Sequence, residues 1–205
     1  MLTDKPLRAL LASLASSDPT PGGGSASAVA SAMGASLLLM VAALPKTRLG
    51  LEADRAALAV AASALTGLQQ QLIEAIDADT AAYDAVVAAY KLPKGSDVEQ
   101  AARKAAIQRA LRGATDVPLG VMRLSALALK EALAVARHGH RAAASDVGVA
   151  AALLSAGVRG AHLNVTINLG SLNDGEFVGA AKAESERLAK DAAQAADAAE
   201  RSLRD

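Results

Sequence analysis

One carboxylate in this chain stands where a carboxylate is costly. Leu65, Leu68, Leu72, Ile76, Tyr83, Val86 and Tyr90 repeat at helical spacing as a single apolar stripe, and Asp79 falls inside it. A carboxylate facing a core must be paired, hydrogen-bonded or protonated, so Asp79 is either a structural hydrogen-bonder or a tuned acid/base. Asp77 and Asp84 leave the same helix from another side, near Gln70, and read as ordinary solvated charges.

A second constellation is PTPGGGS, Pro19 to Ser25, followed by small residues. It is not a P-loop, because Gly24 is followed by Ser25 and Ala26 where a lysine is needed to reach phosphates. Nor is it a dinucleotide turn, since a helix precedes it and Ser27 stands in place of the third glycine. What remains is a loop that lets a ligand approach the backbone of Gly22, Gly23 and Gly24 and leads into a helix whose free N–H groups favour an anion or a carbonyl oxygen. A tight turn with Ser25 as its cap is the plain alternative.

A third set lies late in the chain. Asp146, Ala150, Leu153, Gly157, Gly160, Asn164 and Asn168 share one helical face. Two side-chain amides one turn apart can hold the ring nitrogens and amide of a heterocycle, because each donates and accepts; helix-to-helix bonding explains them equally well. Asp146 and Asn164 are about 27 Å apart on a straight helix, so they serve one small reacting centre only if the ligand is long or a symmetry mate supplies one end.

The cations near helix ends, Lys46 and Arg48 and then Lys91 and Lys94, are solubilising or receive a carboxylate tail. His138 and His140 end a helix, where a histidine serves the dipole more often than a ligand. No HExxH occurs and no Cys exists for a zinc deaminase pattern, so no metal site is expected.

These groups need a scaffold. With 205 residues, 52% of them hydrophobic and 20% charged, the chain has the balance of one soluble globular domain, residues 1–205. Its apolar set is Ala, Leu and Val with two Tyr, one Phe and no Trp, which favours close-packed helices over a sheet. Basic and acidic residues are equal at 21 each, so no net field draws nucleic acid, and none is expected as a partner. Absence of cysteine suits a reducing cytoplasm. The uncharged run from Asp18 to Lys46 is long enough to span a bilayer, but its first half is Pro, Gly, Ser and Ala, so a buried helix is expected and no membrane. LRALLASLASS is too short and too broken by Ser for a secretory signal.

Caps and breakers divide the chain into about seven helices. The first runs from near Asp4 to before Asp18, the second from Ser25 to Pro45, and the third from Leu51 to about Lys91. A fourth starts at Ser96 or Asp97 and stops near Arg112, and a fifth restarts at TDVP, 115 to 118, and runs to HGH at 138 to 140. A sixth opens at Ser145 and Asp146 and runs towards Leu169, and NDGE near 173 to 176 introduces a charged last helix. VTINL at 165 to 169 continues a helical stripe despite its strand-like composition. The expected architecture is an all-α, up-and-down helical bundle, its small inner residues suiting close helix pairing within or between subunits.

PTPGGGS at 19–25, IDADTAAYDAVVAAYKLPK at 76–94, SDVGVAAALL at 145–154 and GAHLNVTINL at 160–169, in this order, resemble the formiminotetrahydrofolate cyclodeaminase and methenyltetrahydrofolate cyclohydrolase family over nearly the whole chain. The resemblance implies an all-helical homodimer that binds folate in a groove near the subunit interface, with neither a metal nor a cofactor beyond the folate substrate. It implies Asp79 as the general acid/base, and Gly22, Gly23, Gly24, Ser25, Lys46, Tyr83, Asp146, Asn164 and Asn168 as substrate-binding positions. GHRAAASD departs from the Asn and Pro often found before the Ser-Asp pair. Both activities move a proton at a tetrahedral intermediate on the one-carbon bridge, which a buried carboxylate of raised pKa can do near neutral pH. The resemblance puts cyclodeamination first, with a place in histidine breakdown, and the cyclohydrolase or a non-catalytic folate-binding dimer as alternatives.

Overall fold

The computed structural model describes residues 1–204. They form six α-helices, α1 Leu7–Leu14, α2 Gly23–Ala42, α3 Glu52–Tyr90, α4 Asp97–His138, α5 Ala144–Leu169 and α6 Gly175–Arg204, with a 3-10 turn at Arg141–Ala143 before α5. VTINL is helical within α5.

The count is six and not seven because α4 runs unbroken through Pro118. A proline inside a helix removes the N–H that its i−4 carbonyl needs, here that of Ala114. Asn168 on α5 replaces it, its Nδ2 donating to the Ala114 oxygen at 2.8 Å. The break expected between Arg112 and Thr115 is thereby healed by a neighbouring helix.

The expected ends of α1 and α2 also move. The N-terminal residues are drawn onto α3, where Asp77 accepts from the Leu2 N–H at 2.5 Å and from Thr3 Oγ1 at 2.7 Å. Asp77 is therefore an anchor and not a solvated charge. After α1, Ser16 and Asp18 bond to each other and to the helix end, holding a bend in place of a further turn. The first helical residue of α2 is Gly23, its N-cap is Gly22, and the Ser25 hydroxyl caps nothing on its own helix.

α2 and α5 lie against each other along small residues. Gly23 faces Asn164, Gly160 faces Ser27, Gly157 faces Ser31, and Gly34 faces Ala150 and Leu154. A Cβ on Gly34 would stand 2.8 Å from the Ala150 oxygen, so the backbones meet where no larger residue fits. The core around this contact includes Leu38, Leu65, Leu72, Leu119, Met122, Leu129 and Leu154, all essentially inaccessible to water. By length and composition α2, α3 and the 3-10–α5 segment could each cross a membrane, although half of the most apolar window of α2 is buried inside the bundle.

Candidate active site

The start of α2 points at the middle of α3. A helix leaves its first N–H groups without internal acceptors, and here Asp79 supplies one from outside. Its Oδ2 accepts from the Ser25 backbone N–H at 2.8 Å and from Ser25 Oγ at 2.9 Å. The hydroxyl also lies 3.0 Å from the Ile76 carbonyl oxygen. Ser25 thus orients the carboxylate and lies behind it. Asp79 is half-buried, and its Oδ1 has no hydrogen bond among the described residues.

Gly24 must lack a side chain for this arrangement. A Cβ there would collide with the Asp79 carboxylate, standing 2.5 Å from its Cγ. The N–H groups of Gly23 and Gly24 have no acceptor among the described residues and border the same space as Oδ1.

That space is a cavity of about 350 Å³ lined by Gly22, Gly23, Gly24, Asp79, Tyr83, Asn164 and Asn168, with Pro19, Thr20, Val86, Leu111, Ala114 and Ile167. Seven of the ten positions expected from the sequence line one cavity, and an eighth, Ser25, stands behind them bonded to Asp79. Tyr83 is 41% exposed and forms an open side of the cavity. Asn164 Nδ2 donates back to the Gly160 carbonyl at 2.9 Å and Asn168 Nδ2 to Ala114. Each amide is therefore fixed by its nitrogen, and each keeps a side-chain oxygen that can accept from a ligand.

Two positions lie elsewhere in the chain. Lys46 is exposed beyond the far end of α2, which is roughly 30 Å long, and lines a different cleft with Arg48, Arg55 and His140. Asp146 lies in the first turn of α5, at the end of that helix remote from Asn164.

Val86, Leu111, Ala114 and Ile167, the apolar walls of the cavity, are not among the positions the sequence marks for chemistry. Val86 carried a signal as a member of the Asp79 stripe. Leu111 and Ala114 carried none, because they stand at the position read as a helix break. Among the described residues no group of three or more His, Asp or Glu side chains converges as a metal site would require.

An oriented carboxylate, free helix N–H groups, two amide oxygens and an apolar wall suit a planar heterocycle with a polar edge and a reacting carbon beside an acid/base. The sequence profile described as Formiminotransferase-cyclodeaminase matches residues 6–187. A methenyltetrahydrofolate cyclohydrolase of Methylorubrum extorquens is 43% identical over 180 residues, covering 86% of this chain and 85% of that protein. A formimidoyltransferase-cyclodeaminase of Sus scrofa is 36% identical over 176 residues, and the match spans only 32% of that longer protein. The crystal structure of a formiminotetrahydrofolate cyclodeaminase from Thermotoga maritima superposes with a TM-score of 0.87 at 27% identity, covering 100% of this chain and 98% of that one. With its glycine loop, its Asp79 and its two asparagines all inside the matched residues, this chain belongs to the formiminotransferase-cyclodeaminase family.

Proposed function

We propose that the protein hydrolyses 5,10-methenyltetrahydrofolate to 10-formyltetrahydrofolate. The observation that carries this reading is the match of a cyclohydrolase to this chain over nearly the full length of both, at 43% identity. It reverses the order of preference drawn from the sequence, where cyclodeamination came first. That second reading, 5-formiminotetrahydrofolate to the methenyl compound and ammonia, keeps the support of the Thermotoga structure.

In the hydrolysis, water adds to the bridging carbon of the amidinium cation, a proton leaves the water, and the tetrahedral adduct opens by cleavage of its bond to N5. Asp79 Oδ1 faces the cavity without a partner, so it takes the proton from the attacking water and returns one to N5 as that nitrogen leaves. One proton is released overall as the cation becomes a neutral formyl compound. Ser25 holds Oδ2 so that Oδ1 does not turn away, and the free N–H groups of Gly23 and Gly24 receive the oxygen that becomes the formyl oxygen. The oxygens of Asn164 and Asn168 accept from pterin N–H groups.

The test offers the purified protein the methenyl compound and follows its disappearance, and in parallel offers the formimino compound and follows ammonia. Enzyme-dependent loss of the first without ammonia from the second supports the hydrolase; ammonia release moves the assignment to the cyclodeaminase. Asp79→Asn is expected to lower kcat by about 10²–10⁴ with an unchanged circular dichroism spectrum. A folded, fully active variant removes Asp79 from the mechanism.

A further inference from the structure

The Asp79 cavity does not end in solvent on all sides. On α3 the residues Asp79, Tyr83, Val86 and Tyr90 keep one face, and 11 residues of helix carry that face roughly 16 Å towards the α3–α4 turn. On α4, Ile107 packs against Leu111 with Val86 beside them, and Leu111 is a wall of the Asp79 cavity. Ile107 also lines a second cavity of about 600 Å³ at the turn, together with Lys94, Arg103 and Lys104. The two cavities therefore lie along one helical hairpin, with the Ile107–Leu111 contact between them.

The second cavity is cationic for reasons the local structure shows. Three cations line it and no carboxylate does. Of the two acids in the first turn of α4, Asp97 lines no part of the cavity, and Glu99 is occupied by the capping box: its Oε2 accepts from the N–H groups of Gly95 at 2.7 Å and Ser96 at 3.0 Å. Asp84, the nearest acid on α3, leaves that helix from the side opposite Asp79 and Tyr90. Arg103 is fixed in place, donating through Nε and Nη2 to the Tyr90 carbonyl oxygen and lying 5.6 Å from the centre of the Tyr90 ring. Lys94 and Lys104 are exposed and free of ion pairs among the described residues.

We infer that the cavity at the α3–α4 turn receives the carboxylates of the substrate's glutamate tail, with Lys94 and Lys104 as the cations that bind them and Arg103 as their fixed neighbour. The inference rests on the folate reading given above and adds the place where the anionic end goes. A pterin at Asp79 and an aminobenzoyl ring along Tyr83, Val86 and Leu111 leave the glutamate at the cations. The other basic cleft, that of Lys46, lies at the opposite end of α2 from the glycine loop in the same chain and cannot be reached by the same molecule.

Cations that hold a part of the substrate remote from the reacting carbon bind ground state and transition state alike, so their loss raises KM and spares kcat. The experiment compares 5,10-methenyltetrahydrofolate with 5,10-methenyltetrahydropteroate, which has the same rings and no glutamate, in the wild type and in Lys94→Ala/Lys104→Ala. Wild type is expected to show the lower KM for the glutamate-bearing compound. The double variant is expected to lose about tenfold of that preference, and added salt to erode it in wild type. An unchanged KM ratio between the two substrates in the double variant overturns the inference. Titration calorimetry with tetrahydrofolate and tetrahydropteroate makes the same comparison without turnover. Glutamate-dependent binding that weakens in the variant, in a protein that turns over neither one-carbon compound, upholds this subsite and overturns the proposed reaction. Binding that ignores the tail overturns the subsite alone, and no binding of either compound overturns both.

Discussion

Asn168 shows how one side chain serves stability and a site together. Its Nδ2 bonds the carbonyl that Pro118 leaves without a donor, while the residue lines the Asp79 cavity. Asn168→Ala strands that carbonyl and is expected to cost about 1–3 kcal/mol in urea unfolding. Pro118→Ala restores the missing N–H, so the double variant is expected to recover part of the loss; additive losses would show that the two residues do not act on one carbonyl. Asp79 was legible from its place in an apolar stripe, but the reason it is tolerated there was not. Its partner Ser25 is 54 residues away, and helical periodicity carries no information about such a pair.

At the scale of elements, two connections are tied at the end of the bundle remote from the site. Asp54, 4% exposed at the start of α3, accepts from Leu49 N–H at 2.8 Å, from Thr47 Oγ1 at 3.3 Å and from His138 Nδ1 at 2.9 Å at the end of α4. A β-bridge between Thr47 and Gly139 lies alongside. The His138 hydrogen bond above all, and that of Leu49, hold the Asp54 carboxyl below its ordinary value of 3.8 against the opposite push of burial. A carboxyl lowered by folding contributes its full stabilisation above that ordinary value and loses it as pH falls through the lower folded value. Stability is therefore expected to be level above about pH 5 and to fall below it. Asp77 and Glu184 are lowered as well, so the comparison of wild type with Asp54→Asn isolates this group. The variant is expected to be less stable at neutral pH and to have a shallower acid limb in urea unfolding followed between pH 2 and 7. Equal slopes would mean that Asp54 does not drive the acid limb.

The whole molecule leaves one face of α5 uncovered. Val149, Leu163 and Ile167 are 51%, 69% and 77% exposed on one side of that helix, with Ala152 and Ala156 exposed between them. Such a stripe on a helix that packs the core with its other side is an expected contact for a second copy. Ile167 also lines the Asp79 cavity, so a dimer through this face would close its open side. The protein is expected to run as a homodimer in light scattering, and Leu163→Glu to run as a folded monomer with a raised KM. A wild-type monomer of full activity would remove the second subunit from the site.

Helix content, the limits of α3, the place of Asp79 and Tyr83 on one face of α3 and that of Asn164 and Asn168 on one face of α5 could all be read along the chain. Each follows from periodicity, or from a residue type out of keeping with its neighbours, and both are local properties. The continuity of α4 could not, because Pro118 is a breaker until a residue 50 positions later supplies its missing donor. Nor could the roles of Asp77 and Ser25, or the choice between Lys94 and Lys46 as neighbour of the site. A charge at a helix end looks the same in sequence at either pole of a bundle. Which pole faces the glycine loop follows from the antiparallel pairing of α2 with α5 and of α3 with α4, set by long-range packing of small and apolar side chains.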